Sequence, residues 1–181
     1  MVIGIAINDK TRPVPYRILL PIILDALSNC GIGDSQIIFF VANGTHVPDE
    51  DSLLSYIGDD IAKKYKFFQH NCTENDNLIY LGITTRKTSV LLNRKFYECD
   101  LKISIGNIEP HHFAGFSGGY KTVSIGLAGK QTINENHKLL MDPNSIAGIF
   151  YDNPVRMDID EIGKMTGLNY SLNCVMNEHK E

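Results

Sequence analysis

Apolar residues come along this chain in short runs separated by polar segments of changing character. Val2–Asn8 is rich in Val and Ile and ends at Asn8-Asp9, and such a run predicts a strand buried on both faces of a parallel sheet. Pro13 and Pro15 punctuate a turn. Across Tyr16–Asn29 the apolar residues Ile18, Leu19, Ile22, Ile23 and Leu27 recur at helical spacing, and Gly31 supplies the stop. Ser35–Val41 predicts the next strand, Asn43-Gly44-Thr45-His46 the loop after it, and Pro48–Ile57 a short helix whose acidic first turn suits the helix dipole. Tyr65–Gln69, Asn77–Leu81 and Ser89–Leu92 are short and β-prone, and together they predict a small β-rich insertion. Arg94–Cys99 predicts a brief helix and Asp100–Ile108 a strong strand. Lys121–Leu127, Gln131–Met141 and Val155–Thr166 follow as helices, then Asn169–Met176 as a last strand. Strands alternating with helices predict an α/β fold: a doubly wound, mostly parallel sheet with flanking helices and the short β-rich insertion.

Length changes the picture little: 181 residues suit a single α/β domain, 1–181. The formal net charge of −4 argues against general nucleic-acid binding, which needs a basic surface. No apolar run reaches the roughly 20 residues of a membrane span. The apolar first eight residues lack a charged leader and a cleavage site, so they read as a strand rather than a signal peptide. Cys30, Cys72, Cys99 and Cys174 are far apart and form no CxxC pair, which predicts reduced thiols, a cytoplasmic protein and no structural zinc.

The richest chemistry lies in Pro110-His111-His112-Phe113-Ala114-Gly115-Phe116-Ser117-Gly118-Gly119-Tyr120-Lys121. Glycines allow close backbone approach and positive φ, and successive N–H groups in such a turn can form an anion-binding nest. Lys121 is then a point charge for the anion or a nucleophilic amine able to bond a cofactor. The bland alternative is a Gly-rich loop with surface histidines. A P-loop comparison fails because Tyr120 stands where that turn uses glycine next to the phosphates. A phosphate-bearing ligand remains; nucleoside triphosphate hydrolysis does not.

Three reactive clusters each follow a predicted strand: Asp9-Lys10-Thr11-Arg12-Pro13, Gly44-Thr45-His46, and His111 to Lys121. Ligands of open parallel sheets bind outside the carboxyl ends of strands, so these clusters are expected to converge. Asp9 and Arg12 either pair with each other, or Arg12 meets an anion while Asp9 accepts a hydroxyl or orients Arg12. His46 sits in a loop where it can exchange a proton near neutral pH. His111 and His112 point oppositely if extended, so one is functional and the other structural. His137, in Asn134-Glu135-Asn136-His137-Lys138, reads by itself as a solvated histidine, and His70 and His179 as surface residues.

Asp9-x-Thr11-Arg12-Pro13, Gly44-Thr45-His46, and the His111-to-Lys121 loop followed by His137 together resemble the nickel-pincer-nucleotide lactate racemase family, in motif order and spacing over nearly the whole chain. That family's proteins have an amino-terminal catalytic α/β domain and a second, carboxyl-terminal domain. The resemblance implies that this chain is most of the first, the second lying outside it and completing the substrate site. It implies nickel held by a nicotinate-derived pincer mononucleotide, attached to Lys121 through a thioamide, with His137 as the protein's nickel ligand. His46 and His111 map onto the acid–base histidines that act on a small 2-hydroxy acid. Asp9, Thr11 and Arg12 fall near cofactor and substrate, and Ser117, Gly118 and Gly119 would cradle the nucleotide phosphate. Val47 stands where the family commonly has arginine. The alternative function is a nucleotide- or phosphate-binding module without catalysis. A phosphotransferase is a third reading, disfavoured by Tyr120 and by the lack of an acidic metal–phosphate set.

Overall fold

The computed structural model describes residues 1–49 and 53–177. Five parallel strands form its sheet: β1 (Ile3–Asn8), β2 (Ile37–Ala42), β3 (Lys66–Gln69), β6 (Leu101–Asn107) and β9 (Tyr170–Cys174), in the order β3-β2-β1-β6-β9. Strand order reverses direction between β1 and β6, so the chain leaves β1 toward one edge of the sheet and leaves β6 toward the other. Such a switch opens a crevice at the carboxyl ends of the strands.

Period-two alternation explains how the strands are buried on both faces. Ile3, Ile5 and Ile7 of β1, Ile37, Phe39 and Val41 of β2, and Ile103 and Ile105 of β6 face one core layer with Tyr16, Leu20 and Leu27 of α1 (Tyr16–Asn29). Ala6, Phe40 and Ala42 face the other layer. It is completed by Phe96 of α4 (Arg94–Tyr97) and Val123 of α5 (Lys121–Ser124). A third cluster lies under α6 (Lys130–Lys138) and α7 (Pro154–Met165), around Ile133, Val155 and Ile159. α1 ends as expected: Gly31 has φ 80°, its amide bonds Ser28 O, and the Ile32 amide bonds Leu27 O, the paired bonds of a Schellman stop.

Three expectations are corrected. Tyr65–Gln69 does not belong to the β-rich insertion; as β3 it pairs parallel with β2 at the sheet edge. Its aromatics decide this, Phe67 stacking on Phe39 at 4.8 Å and Phe68 on Phe40 at 5.7 Å, one on each face. The insertion reduces to an antiparallel hairpin, β4 (Leu78–Ile83) with β5 (Ser89–Asn93). The helix expected over Lys121–Leu127 stops at Ser124. Gly126 lies so close to β2 that a Cβ there would sit 2.5 Å from the Ala42 Cβ. Of the helix expected over Pro48–Ile57, α2 (Leu53–Ile57) is described; Pro48 and Asp49 are not helical, and Glu50 and Asp51, like His179, lie outside the described residues. Between them α2 and α3 (Asp59–Lys64) connect β2 to β3.

Candidate functional site

The two strands bordering the switch, β1 and β6, and the neighbouring β2 each hand their next loop to one cavity of about 150 Å³. Asp9, Thr11 and Arg12 enter it after β1, Gly44, Thr45 and His46 after β2, and His111, Ser117, Gly118 and Lys121 after β6. His137 reaches it from the last turn of α6.

Asp9 and Arg12 choose partners that the sequence reading did not foresee. Asp9 Oδ2 accepts the His46 Nδ1 proton at 2.6 Å, while its Oδ1 accepts the Thr11 hydroxyl at 2.6 Å and the Thr11 amide at 3.2 Å. Arg12 pairs instead with Glu109, from the loop after β6, at 3.2 Å. The turn ion pair is therefore absent, and Asp9 orients His46 rather than Arg12, because the two loops bring better-placed partners than the chain neighbour. Lys10 pairs with Asp49.

After β6 the chain makes a two-residue ladder, β7 (Pro110–His111) with β8 (Gly115–Phe116). It turns His111 inward, with 8% of its surface exposed, and leaves His112 exposed. Phe113 stands edge-on between His111 (4.8 Å between centroids) and His137 (5.0 Å). His137 is thus part-buried against an aromatic wall, not solvated on a polar helix face. The reading that its helix context alone suggested fails because the Gly-rich loop folds back over α6.

Positive groups crowd this wall and shift one another. Burial, then Lys121 and Arg12, hold the His111 imidazole down at about 3. Burial, then Arg12 and Arg156, bring the Lys121 amine down to about 8. Burial and the same lysine lower His137 as well. Among the described residues Lys121 has no carboxylate within ion-pair distance. The cavity therefore offers a partly neutral amine beside neutral imidazoles, groups fit to bond an electrophile or a metal.

The glycines act where backbone is crowded. Gly118 has φ 70°, and a Cβ there would come within 2.8 Å of Asn107 O and Asn173 Oδ1. The Gly119 amide donates to Asn173 Oδ1 at 2.9 Å, and Gly119 does not line the cavity. Ser117 donates its hydroxyl to Asn107 O at 2.8 Å and accepts the Glu109 amide at 2.9 Å. Ser117 and Gly119 thus shape the loop. The Gly118 amide has no protein acceptor among the described residues, and Gly118 lines the cavity, so this amide is a donor left for an anion.

His70, read as a surface residue, is 1% exposed. Its Nε2 donates to Ala128 O at 2.9 Å and its Nδ1 accepts from Asn93 at 3.2 Å, while Asn43, a cavity residue, donates to its carbonyl. Glu109, Phe113 and Asn173 also went unread. Glu109 had a signal, since it directly follows a predicted strand; Asn173, inside a predicted strand, had none.

The family model described as the lactate racemase N-terminal domain matches residues 1–148. The chain belongs to this family. A lactate racemase of Lactiplantibacillus plantarum is 34% identical over 177 residues, which cover 96% of this chain and 42% of that protein. One from Thermoanaerobacterium thermosaccharolyticum is 32% identical over 182 residues, 98% of this chain and 42% of its own length. A structure of the lactate racemase apoprotein from the latter organism superposes with a TM-score of 0.93 at 31% identity, over 98% of this chain and 43% of that one. A Thermotoga maritima protein at 22% identity shares the fold, with a TM-score of 0.82 over 98% of this chain and 48% of its own. The chain thus spans about two fifths of the length of the lactate racemases it matches.

Proposed function

We propose that this chain is the cofactor-bearing part of an isomerase that racemises or epimerises a lactate-like 2-hydroxy acid. One observation carries the reading: Lys121, His137, His46, His111, Asp9 and Arg12, from four separate segments, line a single cavity. The proposed cofactor is the nickel-pincer nucleotide, attached to Lys121, with His137 as the protein's ligand to nickel. The residues present fit it. An amine without a carboxylate partner among the described residues shares the cavity with a neutral imidazole, and the free Gly118 amide suits its phosphate. When bound, that group would supply the hydride acceptor, held by Lys121 and His137.

The remaining work belongs to protein side chains. Arg12 spends one nitrogen on Glu109 and keeps N–H groups for the substrate carboxylate. His46 and His111 exchange the hydroxyl proton from two sides, one serving each enantiomer. The planar keto acid formed between them regains hydrogen on either face. The rest of a longer protein, of the length of the relatives, would complete the substrate pocket.

The test is mass spectrometry of the chain produced beside the enzymes that make the cofactor. The expected outcome is an adduct mapped to Lys121 with stoichiometric nickel, and loss of the nickel but not of the adduct in His137→Ala. An unmodified chain that still binds a mononucleotide would assign it instead as a binding module.

A further inference from the structure

We infer that the two proposed acid–base imidazoles rest in opposite tautomers, His46 with its proton on Nδ1 and His111 with its proton on Nε2. The inference takes its catalytic meaning from the two-histidine reading above, while its geometry stands on hydrogen bonds alone. A neutral imidazole has one N–H and one lone pair, and the partner of one nitrogen fixes the other.

At His46 the partner is a carboxylate. Asp9 Oδ2 lies 2.6 Å from Nδ1 and can only accept, so Nδ1 carries the proton and Nε2 keeps its lone pair. Asp9 is itself held, its other oxygen taking both the hydroxyl and the amide of Thr11. Thr11 and Asp9 are thus positioning residues for His46, an orienter behind a base in the sense of a triad. At His111 the partner is a donor. The Ala114 amide points at Nδ1 over 3.4 Å, so Nδ1 holds the lone pair and Nε2 the proton. A second proton, which would make the imidazolium, is opposed by burial and by the charges of Lys121 and Arg12.

The substrate therefore meets two unlike groups. On the His46 side a hydroxyl finds a lone pair and can give up its proton at once, leaving an imidazolium braced by Asp9. On the His111 side an oxygen finds an N–H donor. For His111 to accept a proton there, it must first release the proton on Nε2 and take one on Nδ1, giving up the Ala114 contact. One enantiomer is served by the resting state and the other only after that exchange.

Histidine labelled with nitrogen-15 in the 181-residue chain, without cofactor, tests this directly. Long-range proton–nitrogen correlation at about pH 8.5, well above the ordinary imidazole value of about 6.5, separates protonated from unprotonated ring nitrogens. His46→Gln and His111→Gln assign the two rings. The expected result is a protonated Nδ1 in His46 and a protonated Nε2 in His111. In Asp9→Asn the amide oxygen takes the two Thr11 donors and turns its NH₂ to His46, so the His46 proton should move to Nε2 while His111 stays unchanged. The same tautomer in both rings, or a doubly protonated His46 at that pH, overturns the inference. A His46 proton that remains on Nδ1 in Asp9→Asn removes Asp9 as its positioning residue. None of these outcomes bears on whether the loaded protein racemises a 2-hydroxy acid, so the two readings fail separately.

Discussion

The Lys121 ammonium is one of the cations that keep His111 neutral, second only to burial. Lys121→Met removes the charge at similar bulk, so the His111 titration, followed by ring proton shifts, should move up from about 3. It should stay below the ordinary imidazole value because burial persists. An unmoved His111 titration would show that the two groups are not coupled. At this scale the convergence of the three loops on one cavity was legible, because glycines, histidines and a lysine at strand ends are visible as types and spacings. It did not show how they pair. Asp9 takes His46, 37 residues away, and Arg12 takes Glu109, 97 residues away, in preference to each other. Nothing local distinguishes those choices.

Among elements, the buried carboxyl of Asp158 on α7 deserves a test of its own. It accepts Thr84 Oγ1 at 2.6 Å, Thr88 Oγ1 at 2.8 Å and Asn136 Nδ2 at 2.8 Å. One side chain so fastens the turn of the β4–β5 hairpin and helix α6 to α7, and α6 carries His137. Asp158→Ala would orphan three buried donors, and urea unfolding should show a loss of about 3 kcal/mol or more; a loss within about 0.5 kcal/mol, typical of surface positions, would rule the clamp out. The elements themselves were legible because parallel strands buried on both faces leave continuous apolar runs. Sequence order groups Tyr65–Gln69 with the β-rich insertion that follows it, whereas its sheet partner β2 lies upstream. α5 was read too long, since the contact of Gly126 with Ala42 is tertiary.

For the molecule as a whole, burial holds three imidazoles, His70, His111 and His137, below their ordinary value. Their unfolded forms bind more protons than the folded ones as pH falls below about 6.5. Stability from this source is therefore intact above that value and is lost on acidification, toward about 3 for His111. Melting temperature should fall between pH 7 and 5, and His111→Gln should flatten the fall; an unchanged slope would locate acid lability elsewhere. The sheet order carries a consequence for timing as well. β1 lies beside β6, so Ile3 pairs with Leu101 and the cavity closes only across a large loop of chain. Contacts so distant in sequence form slowly compared with local helices. In an unfolded or half-folded chain Lys121 is an ordinary alkylamine, almost wholly protonated at neutral pH. Only the finished fold brings it to about 8, which raises the free amine on the order of a hundredfold. Chemistry that needs that amine consequently favours mature molecules over half-folded ones.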